Sequence, residues 1–376
     1  MKIAVTTLAF CVAALLALGM VMLYSSSMAK DGAHLLLMQM IWCVLGLGLC
    51  VATTSLDYRL LKPLAWPMFI VAILLLALVL VPHLGVVRGR ARRWFSFGGV
   101  SFQPSEFAKL ALIVVLAWYG DRCQRQMGSW WRGVVVPGLV IGPILGLIFV
   151  EPDRGSTILL AAVSGAMLLI AGVRWKYILP PAALGVLGLV ISLLYDPMRM
   201  RRIFSWLDLE STKTGVGMQA YQAMLALGSG GWTGLGLGNG RQKLGFVPEH
   251  HTDFIFSVIG EELGLIATLL IVLAFVVIVV CGIYIALHAR EPFGFLLACG
   301  LTFLIGLQAF INIGVVTSAL PNKGLPLPFI SYGGSNLLAM LGCVGLLFSV
   351  ARQARENGPA PINPFAADEL PSAQPT

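Results

Sequence analysis

Charged residues are scarce in this sequence, and their scarcity restricts the class of protein. Asp, Glu, Lys and Arg make up 11% of the 376 residues, whereas hydrophobic residues make up 58% and the mean hydropathy is +0.88. A soluble domain carries about 25% charged residues, so a soluble fold is excluded. Apolar stretches of about 20 residues recur along most of the chain, and this length is typical of helices that span a membrane.

Two kinds of binding motif are also missing. The seven cysteines form no pair at the spacing of a redox or metal–thiolate site, so we expect neither a disulfide nor such a metal site. The glycine-rich run from Gly228 to Phe246 has Asn239 where the dinucleotide fingerprint needs its third glycine. We therefore exclude nucleotide binding and interpret the run as a tightly turning, re-entrant or covering loop.

The apolar stretches predict an all-α polytopic membrane protein with about ten transmembrane helices. The predicted spans cover residues 3–24, 33–53, 60–82, 104–120, 133–151, 155–173, 177–195, 253–287, 292–315 and 330–351. We expect a membrane domain over residues 1–352, with one large outer loop at 196–252 between the seventh and eighth helices. Residues 353–376, rich in Pro and Ala, are predicted to form a disordered tail.

Lysine and arginine indicate the orientation. In the short connections they gather on one side, and the other side holds only Lys30, Arg154 and Lys323. Positive residues in short loops mark the cytoplasmic side, which places both termini in the cytoplasm. The two long outer connections break the pattern, because they are rich in cations. These are Arg88, Arg90, Arg92, Arg93, Arg199, Arg201, Arg202, Lys213, Arg241 and Lys243. They predict an anionic ligand on the outer face, with attraction to anionic lipid headgroups as the alternative.

Glu106 and Lys109 introduce charge into the fourth predicted span. Ionisable groups at membrane depth are costly and are functional candidates by default. The i,i+3 spacing puts the two side chains on one helix face, where they can neutralise each other. A structural ion pair that fixes this helix against a neighbour is the alternative interpretation.

Asp253 stands at the start of the eighth predicted span, directly before Phe254, Ile255 and Phe256. Partial desolvation there would raise the pKa of its carboxyl towards that of a general base. Thr252 or Asp253 could instead be the N-cap of the helix. A third interpretation is a metal site formed with Glu249, His250 and His251, although their spacing matches no strong metal motif.

The segment from Pro321 to Asn336 precedes the tenth span. Its prolines and the Gly333–Gly334 pair preclude a regular helix. Irregular backbone at membrane depth is tolerated where it is buried or lines a cavity. We expect it to line a cavity, with Lys323 and Ser331 as polar contributors.

Four motifs in order resemble the SEDS family, the shape, elongation, division and sporulation proteins. They are ARRWFSFGGVSFQPSEFAK (91–109), EPDRGST (151–157), GLGLGNGRQKLGFVPEHHTDFIFSVIGEELG (234–264) and KGLPLPFISYGGS (323–335). The third motif looks closer to the division member than to the elongation member. The chain departs from the family at residues 88–90, Arg-Gly-Arg, where Asn-Gly is usual, and at Arg154, where an apolar residue is usual.

The resemblance implies a bacterial inner-membrane glycosyltransferase. It would polymerise lipid II, the undecaprenyl-pyrophosphate-linked disaccharide peptide, into glycan strands at the outer face during septal wall synthesis. The family's essential aspartate falls on Asp253, and its conserved acid and lysine fall on Glu106 and Lys109. The resemblance also implies a class B penicillin-binding protein as partner, alongside other division proteins and with no nucleic acid.

The chemistry of glycosyl transfer agrees with the residues. A base must deprotonate the acceptor 4-hydroxyl, and cations must stabilise the departing pyrophosphate. We assign the base to Asp253, and Glu106 would orient Lys109 or shape the cavity. The candidate pyrophosphate contacts are Arg92, Arg93, Lys109, Arg241, Lys243 and Lys323. The sequence requires no cofactor, although Mg²⁺ or Mn²⁺ could bridge the pyrophosphate.

Several alternatives stay open at this stage. A lipid II flippase would bind the same anionic ligand in a similar cavity. A transporter of small solutes would place its charges nearer the membrane centre, and a scaffold of the division machinery would not need Asp253. The elongation member of the same family is the remaining alternative.

Overall fold

The computed structural model describes residues 1–27, 34–88, 91–97, 100–213, 215, 217–240 and 252–356. Twelve α-helices form most of this part of the chain. They are α1 (Lys2–Ser27), α2 (His34–Ser55), α3 (Leu61–Leu80), α4 (Pro104–Arg122), α5 (Val136–Val150), α6 (Arg154–Ile170), α7 (Trp175–Leu194), α8 (Pro197–Leu207), α9 (Met218–Ser229), α10 (Ile255–Leu287), α11 (Pro292–Val316) and α12 (Gly334–Glu356).

Each of the ten predicted spans coincides with one long helix. Among the described residues, eight helices are long and apolar enough to cross a membrane: α1, α2, α3, α5 with the π-helical turn before it, α7, α10, α11 and α12. The other two spans are α6, which has 17 residues, and α4, which carries charges at both ends. The predicted all-α polytopic fold is confirmed, whereas the position of the termini relative to the membrane stays a prediction.

The helices differ in how much protein surrounds them. Helix α4 buries most of its residues against α3, α6 and α11, which explains how it accommodates charged side chains. Helix α7 buries none of its residues within the described part of the chain. Because α7 is almost entirely apolar, its exposed sides are suited to contact with lipid.

The first of the two long connections that were predicted to lie on the outer face folds into an antiparallel sheet, which the sequence interpretation missed. Its strands are β1 (Val86–Arg88), β2 (Ala91–Phe97) and β3 (Val100–Phe102), in the order β1-β2-β3. Strand β2 contains three aromatic residues, which are common in strands, and its buried residues Ala91 and Phe95 are an even number of positions apart, on one face of the strand. The Ser335 hydroxyl at the start of α12 donates to the carbonyl of Ser101 (3.1 Å), which attaches β3 to the helix bundle.

The predicted large outer loop is also partly helical. It contains α8, where Pro197 occupies the first turn and the Asp196 carboxylate caps the amide of Met198 at 3.2 Å. It also contains α9, which packs against α10. At the other boundary, α12 continues to Glu356, past residue 352 where the membrane domain was predicted to end.

A break in α10 explains why the eighth span is longer than one crossing needs. Gly264 has φ +77°, a conformation that favours glycine, and it interrupts the helix. The turn at residues 230–240 packs into this break through backbone hydrogen bonds, including Leu235 N–H to Glu261 (3.0 Å) and Leu265 N–H to Gly231 (2.9 Å). The described part of the glycine-rich run therefore covers the start of α10.

Candidate active site

A cavity of about 860 Å³ lies at the end of the bundle where α4, α6, α10 and α12 begin. Strand β2, the end of α7, α8 and the segment 321–326 complete its wall. Its volume lies within the range of about 300–1,000 Å³ that small-molecule sites occupy. Among the described residues, its charged lining residues are Arg93, Glu106, Asp153, Arg154, Arg202, Asp253 and Lys323.

Hydrogen bonds from neighbouring side chains to the backbone at Thr252 and Asp253 hold Asp253 in this cavity. The Asn312 side-chain amide donates to the carbonyls of Asp253 (2.8 Å) and Leu325 (2.6 Å). The Ser331 hydroxyl donates to the carbonyl of Thr252 at 2.6 Å. The carboxylate lies against Gly324, where a Cβ atom would be 2.6 Å from Oδ2. The N-cap of α10 falls on Phe254, so neither Thr252 nor Asp253 occupies that position.

Ser331 supports the site without lining it. Besides its bond to Thr252, its oxygen accepts the amide of Leu327 at 2.7 Å, and the residue is buried. It therefore joins the segment that precedes α12 to the one that precedes α10. We expect a positioning role for Ser331, in contrast to the cavity contact predicted from the sequence.

Glu106 and Lys109 form a buried ion pair with a Nζ–Oε1 distance of 2.8 Å. Gln308 accepts from Lys109 at 3.1 Å, and Asn336 donates to Glu106 at 3.0 Å. Gln308 also donates to the carbonyl of Pro326 at 2.9 Å, which carries the network to the cavity wall. Glu106 reaches the cavity, but Lys109 is completely buried behind it. This arrangement agrees with the structural alternative for the pair.

Arg93 is the cation of β2 that faces the cavity. Its guanidinium donates to the carbonyls of Glu151 (2.9 Å) and Pro152 (2.6 Å), and it lies 3.9 Å from Asp153. Arg92, its neighbour on the strand, is absent from the described cavity lining. Arg93 thus fixes the turn between α5 and α6 and contributes positive charge to the cavity.

Two acids in that turn have different environments. Asp153 caps α6 and accepts from the amide and the hydroxyl of Ser156, both at 3.0 Å. The Glu151 carboxyl is buried and has no hydrogen-bond partner among the described residues. Burial, reinforced by the charge of Asp153 and opposed by that of Arg93, raises the pKa of Glu151 to about 8.

Lys323 lines the cavity as predicted from the sequence. Burial, and then the positive charge of Arg154, lower the pKa of its amine below the ordinary value. Arg241 and Lys243, the other predicted contacts in the outer loop, lie outside the described residues, as do Glu249, His250 and His251 of the metal alternative. Within the described part of the chain, no group of three His, Cys, Asp or Glu residues is placed to hold a metal ion.

Arg154 and Arg202 line the cavity, although the sequence interpretation did not select them as site residues. In the sequence, Arg154 was notable only as a departure from the family pattern. Arg202 was one of many cations in the outer loop. Arg154 lies at the start of α6 and Arg202 lies on α8, and the fold brings both side chains to the cavity. Neither helix is adjacent to Asp253 in the sequence. Only the fold therefore reveals them.

The fold and the cavity define a polytopic membrane protein with a cation-rich polar site at one end of an apolar bundle. A family model described as "Cell cycle protein", which covers FtsW, RodA and SpoVE, matches residues 6–356. The chain belongs to this family, as the four motifs indicated.

Individual relatives cover nearly the whole chain. A protein of Geobacter metallireducens named probable peptidoglycan glycosyltransferase FtsW is 40% identical over 348 residues, which are 91% of this chain and 93% of the relative. Stage V sporulation protein E of Bacillus subtilis is 38% identical over 348 residues, which are 91% of this chain and 95% of that protein. Many of the similar proteins carry the name FtsW, in agreement with the predicted division branch.

Solved structures share the fold. One is a chain from a study of the structural coordination of polymerization and crosslinking by a peptidoglycan synthase complex. It has a TM-score of 0.79 and 29% identity, over 93% of this chain and 98% of that one. Another is the rod shape determining protein RodA of Thermus thermophilus, with a TM-score of 0.70 and 30% identity, over 93% of this chain and 96% of that one.

Proposed function

We propose that this protein is a peptidoglycan glycosyltransferase of septal wall synthesis, which polymerises lipid II at the outer face of the bacterial cytoplasmic membrane. The observation that carries the proposal is the Asp253 carboxylate in a cavity lined by Arg93, Arg154, Arg202 and Lys323. The names of the FtsW relatives and the synthase complex of similar fold support the same reaction.

Asp253 serves as the general base. It accepts the proton of the acceptor 4-hydroxyl while that oxygen attacks the anomeric carbon of the donor sugar. The bond from this carbon to the pyrophosphate oxygen breaks, and the electron pair leaves with undecaprenyl pyrophosphate. Negative charge grows on the leaving group, and the guanidinium and ammonium groups of the cavity stabilise it.

The cavity lies where a lipid-linked substrate can reach it. Leu189 and Leu193 of α7 line the cavity together with Arg202 of α8. The apolar sides of α7 are not buried within this chain and are suited to contact with lipid. A polyprenyl chain can therefore remain in the bilayer along α7 while its pyrophosphate and sugars enter among the cations.

The other site residues position the machinery. Glu106 forms part of the cavity wall, and the buried ammonium of Lys109 neutralises the Glu106 carboxylate. Arg93 holds the turn before α6, and Ser331 and Asn312 hold the backbone around Asp253. This mechanism requires no resident metal. A Mg²⁺ or Mn²⁺ ion would act by bridging the pyrophosphate of the substrate, which is a proposal rather than a property of the described residues.

A class B penicillin-binding protein is the proposed partner. The synthase complex of similar fold is described as coordinating polymerization with crosslinking, which supports a partner that crosslinks the nascent strand. Lipid II and the other division proteins complete the set of proposed partners.

The test is lipid II polymerisation by the purified protein together with its transpeptidase, comparing wild type with Asp253→Asn. Loss of a general base lowers the rate roughly 10²–10⁴-fold. Asp208→Asn is the matched control, because Asp208 is an exposed acid of the outer loop that does not line the cavity. The control variant is expected to polymerise at the wild-type rate.

Two results would contradict the proposal. If folded, partner-bound Asp253→Asn polymerised like wild type, the base assignment would be wrong. If neither form polymerised while both moved lipid II across vesicle membranes, the protein would be a flippase.

A further inference from the structure

We propose that Trp42 of α2 binds a sugar ring of the lipid-linked substrate, so that the cavity contains a carbohydrate subsite in addition to its charged residues. The inference rests on the proposed function, and it concerns the uncharged part of the substrate. The sequence interpretation did not select Trp42 as a site residue, but in the structure Trp42 lines the cavity.

Trp42 lies on the side of α2 that packs against protein. Gln39 and Gly46 are the two buried residues of this helix, three positions before Trp42 and four positions after it. Residues at these spacings share one helix face. A Cβ atom at Gly46 would lie 2.6 Å from Leu341 Cδ1, so the neighbour of this face is α12. Trp42 is only partly buried between these two positions, because part of its surface borders the cavity.

Gly334 at the start of α12 supports the indole ring of Trp42. A Cβ atom at Gly334 would overlap Cε2, Nε1 and Cδ2 of the indole at nearly equal distances. All three atoms belong to the five-membered ring, so Gly334 packs on a face of the ring rather than on its edge. Any side chain at residue 334 would displace the indole. The start of α12 therefore orients Trp42 before a ligand binds, which lowers the entropy lost on binding.

Uncharged polar groups lie beside Gly334. The hydroxyl of Ser335 donates to the carbonyl of Ser101 and accepts the amide of Gln103, both at 3.1 Å. Ser101 and Gln103 line the cavity, so β3 brings a hydroxyl and a side-chain amide to the wall that Trp42 shares with α12. Such groups form hydrogen bonds with the hydroxyls of a sugar and do not require a charged ligand.

Trp42 has the two features that recognition of a sugar requires. Its ring is an apolar surface on which the C–H groups of a pyranose can pack, and its indole nitrogen is a hydrogen-bond donor. Within the described part of the chain this N–H donates no hydrogen bond. Trp94 and Tyr332 also line the cavity, which adds aromatic surface to the same space. Aromatic surface combined with a few polar groups is typical of sites for small polar rings.

One segment connects Trp42 with the proposed base. The side-chain amide of Gln39, one turn before Trp42, donates to the carbonyl of Ser331 at 3.3 Å. The hydroxyl of Ser331 donates to the carbonyl of Thr252, the residue before Asp253, at 2.6 Å. Trp42 and Asp253 therefore belong to walls of the cavity that are joined by hydrogen bonds. A sugar ring bound to Trp42 would remain on the wall that continues to the base.

The experiment measures binding of two ligands to the full-length protein in nanodiscs of zwitterionic lipid, by thermophoresis. The ligands are lipid II and undecaprenyl pyrophosphate, which has the same lipid and pyrophosphate but no sugar. Trp42→Leu is expected to weaken binding of lipid II roughly tenfold, because it removes the aromatic surface and the donor. Trp42→Phe keeps an aromatic ring and should lose less. Neither variant should change the affinity for undecaprenyl pyrophosphate.

Trp131→Leu is the matched control, because Trp131 is 64% exposed and does not line the cavity. Equal affinity of wild type and Trp42→Leu for lipid II would overturn the proposal. An equal loss of affinity for both ligands would also overturn it, because Trp42 would then act by packing α2 on α12 and not by contact with a sugar.

A second variant changes the position of Trp42 without replacing it. The methyl group of Gly334→Ala would displace the indole, so this variant should also weaken binding of lipid II and not of undecaprenyl pyrophosphate. Gly48→Ala is the matched control on α2, because nothing lies within 4 Å of a Cβ atom there. Because both changes act on one contact, the loss in the variant that combines Gly334→Ala with Trp42→Leu should be less than additive. Additive losses would contradict the proposed contact.

A readout on the protein without substitutions separates ligand binding from folding. The protein is labelled with fluorotryptophan, and the fluorine resonance of Trp42 is assigned by its disappearance in Trp42→Phe. Lipid II is expected to shift this resonance, whereas undecaprenyl pyrophosphate should leave it in place. No shift with lipid II, or the same shift with both ligands, contradicts the proposal.

The two proposals can fail separately. If binding of lipid II depends on Trp42 but wild type makes no glycan, the sugar subsite stands and the polymerase proposal is wrong. If wild type makes glycan and Trp42→Leu binds lipid II as tightly as wild type, only the sugar subsite is wrong.

Discussion

The two ends of the helix bundle both carry charged residues, but these residues form ion pairs at one end and line a cavity at the other. At the end opposite the cavity, Arg59 pairs with Glu291 at 2.9 Å, and Lys62 pairs with Asp121 at 3.1 Å and with Glu291 at 2.8 Å. We call these four residues the opposite-end network. At the cavity end, Arg93, Arg154, Arg202 and Lys323 share one polar space.

This comparison separates a closed network of ion pairs from charged side chains that line an open cavity. In the opposite-end network each cation has a carboxylate within ion-pair distance. At the cavity end the positive side chains converge on an open volume, and two of them repel each other. Among the described lining residues the four cations outnumber the three acids Glu106, Asp153 and Asp253, and Glu106 is already paired with Lys109. The excess of positive charge favours an anionic ligand.

The largest effect on stability is expected from the ion pair behind the cavity. Lys109→Met leaves the buried Glu106 carboxylate without its cation, and breaking a buried pair costs about 3–5 kcal/mol. The measurement is the free energy of unfolding in mixed micelles. The double variant Glu106→Gln with Lys109→Met should recover part of the loss. A single variant as stable as wild type would show that the pair does not fix α4.

A smaller effect is expected at the opposite-end network. Lys62→Met removes a cation whose side chain is 31% exposed, and such pairs contribute about 1 kcal/mol or less. The same unfolding assay tests this, and polymerisation should remain at the wild-type rate for the folded protein. A loss of polymerisation as large as that of Asp253→Asn would break the distinction between the two ends.

An effect that depends on pH is expected at Glu151, absent below pH 4.5 and growing as the pH rises towards about 8. Because burial raises the pKa of Glu151 from 4.5 to about 8, the folded protein retains a proton that the unfolded chain releases. This contribution to stability is complete below pH 4.5 and is lost as the pH rises through about 8. Glu151→Gln should therefore flatten the fall in thermal stability across this window. Glu210→Gln, an exposed control, should leave the pH profile unchanged. An identical slope in wild type and Glu151→Gln would contradict the assignment.

The sequence predicted the ten long helices because an apolar stretch of about 20 residues is a local signal. It did not predict the sheet or α8 and α9, because tertiary contacts hold these short elements. The Trp206 indole, for example, donates to the carbonyl of Ser318 at 2.8 Å, and Ser335 bonds to Ser101. No local pattern encodes such distant partners.

The same reason limits the prediction of the site. Asp253 was selected from its position at a helix start, and the structure places it in the cavity. Lys109 was also selected from the sequence, as a candidate pyrophosphate contact. In the structure it is buried behind the cavity wall, where it donates a hydrogen bond to Gln308, 199 residues away in the sequence. Arg154 was noticed as an unusual residue, yet only the packing of α6 on residues 324–325 shows that it faces the cavity beside Lys323.

An experimental structure of the protein with bound lipid II tests the central claim most directly. The account predicts that the pyrophosphate lies in the cavity lined by Arg93, Arg154, Arg202 and Lys323, with the polyprenyl chain along α7. It also predicts a sugar hydroxyl within hydrogen-bond reach of Asp253, about 2.6–3.2 Å or through one water molecule. A pyrophosphate bound outside the cavity, or a sugar beyond the reach of Asp253, would contradict the account.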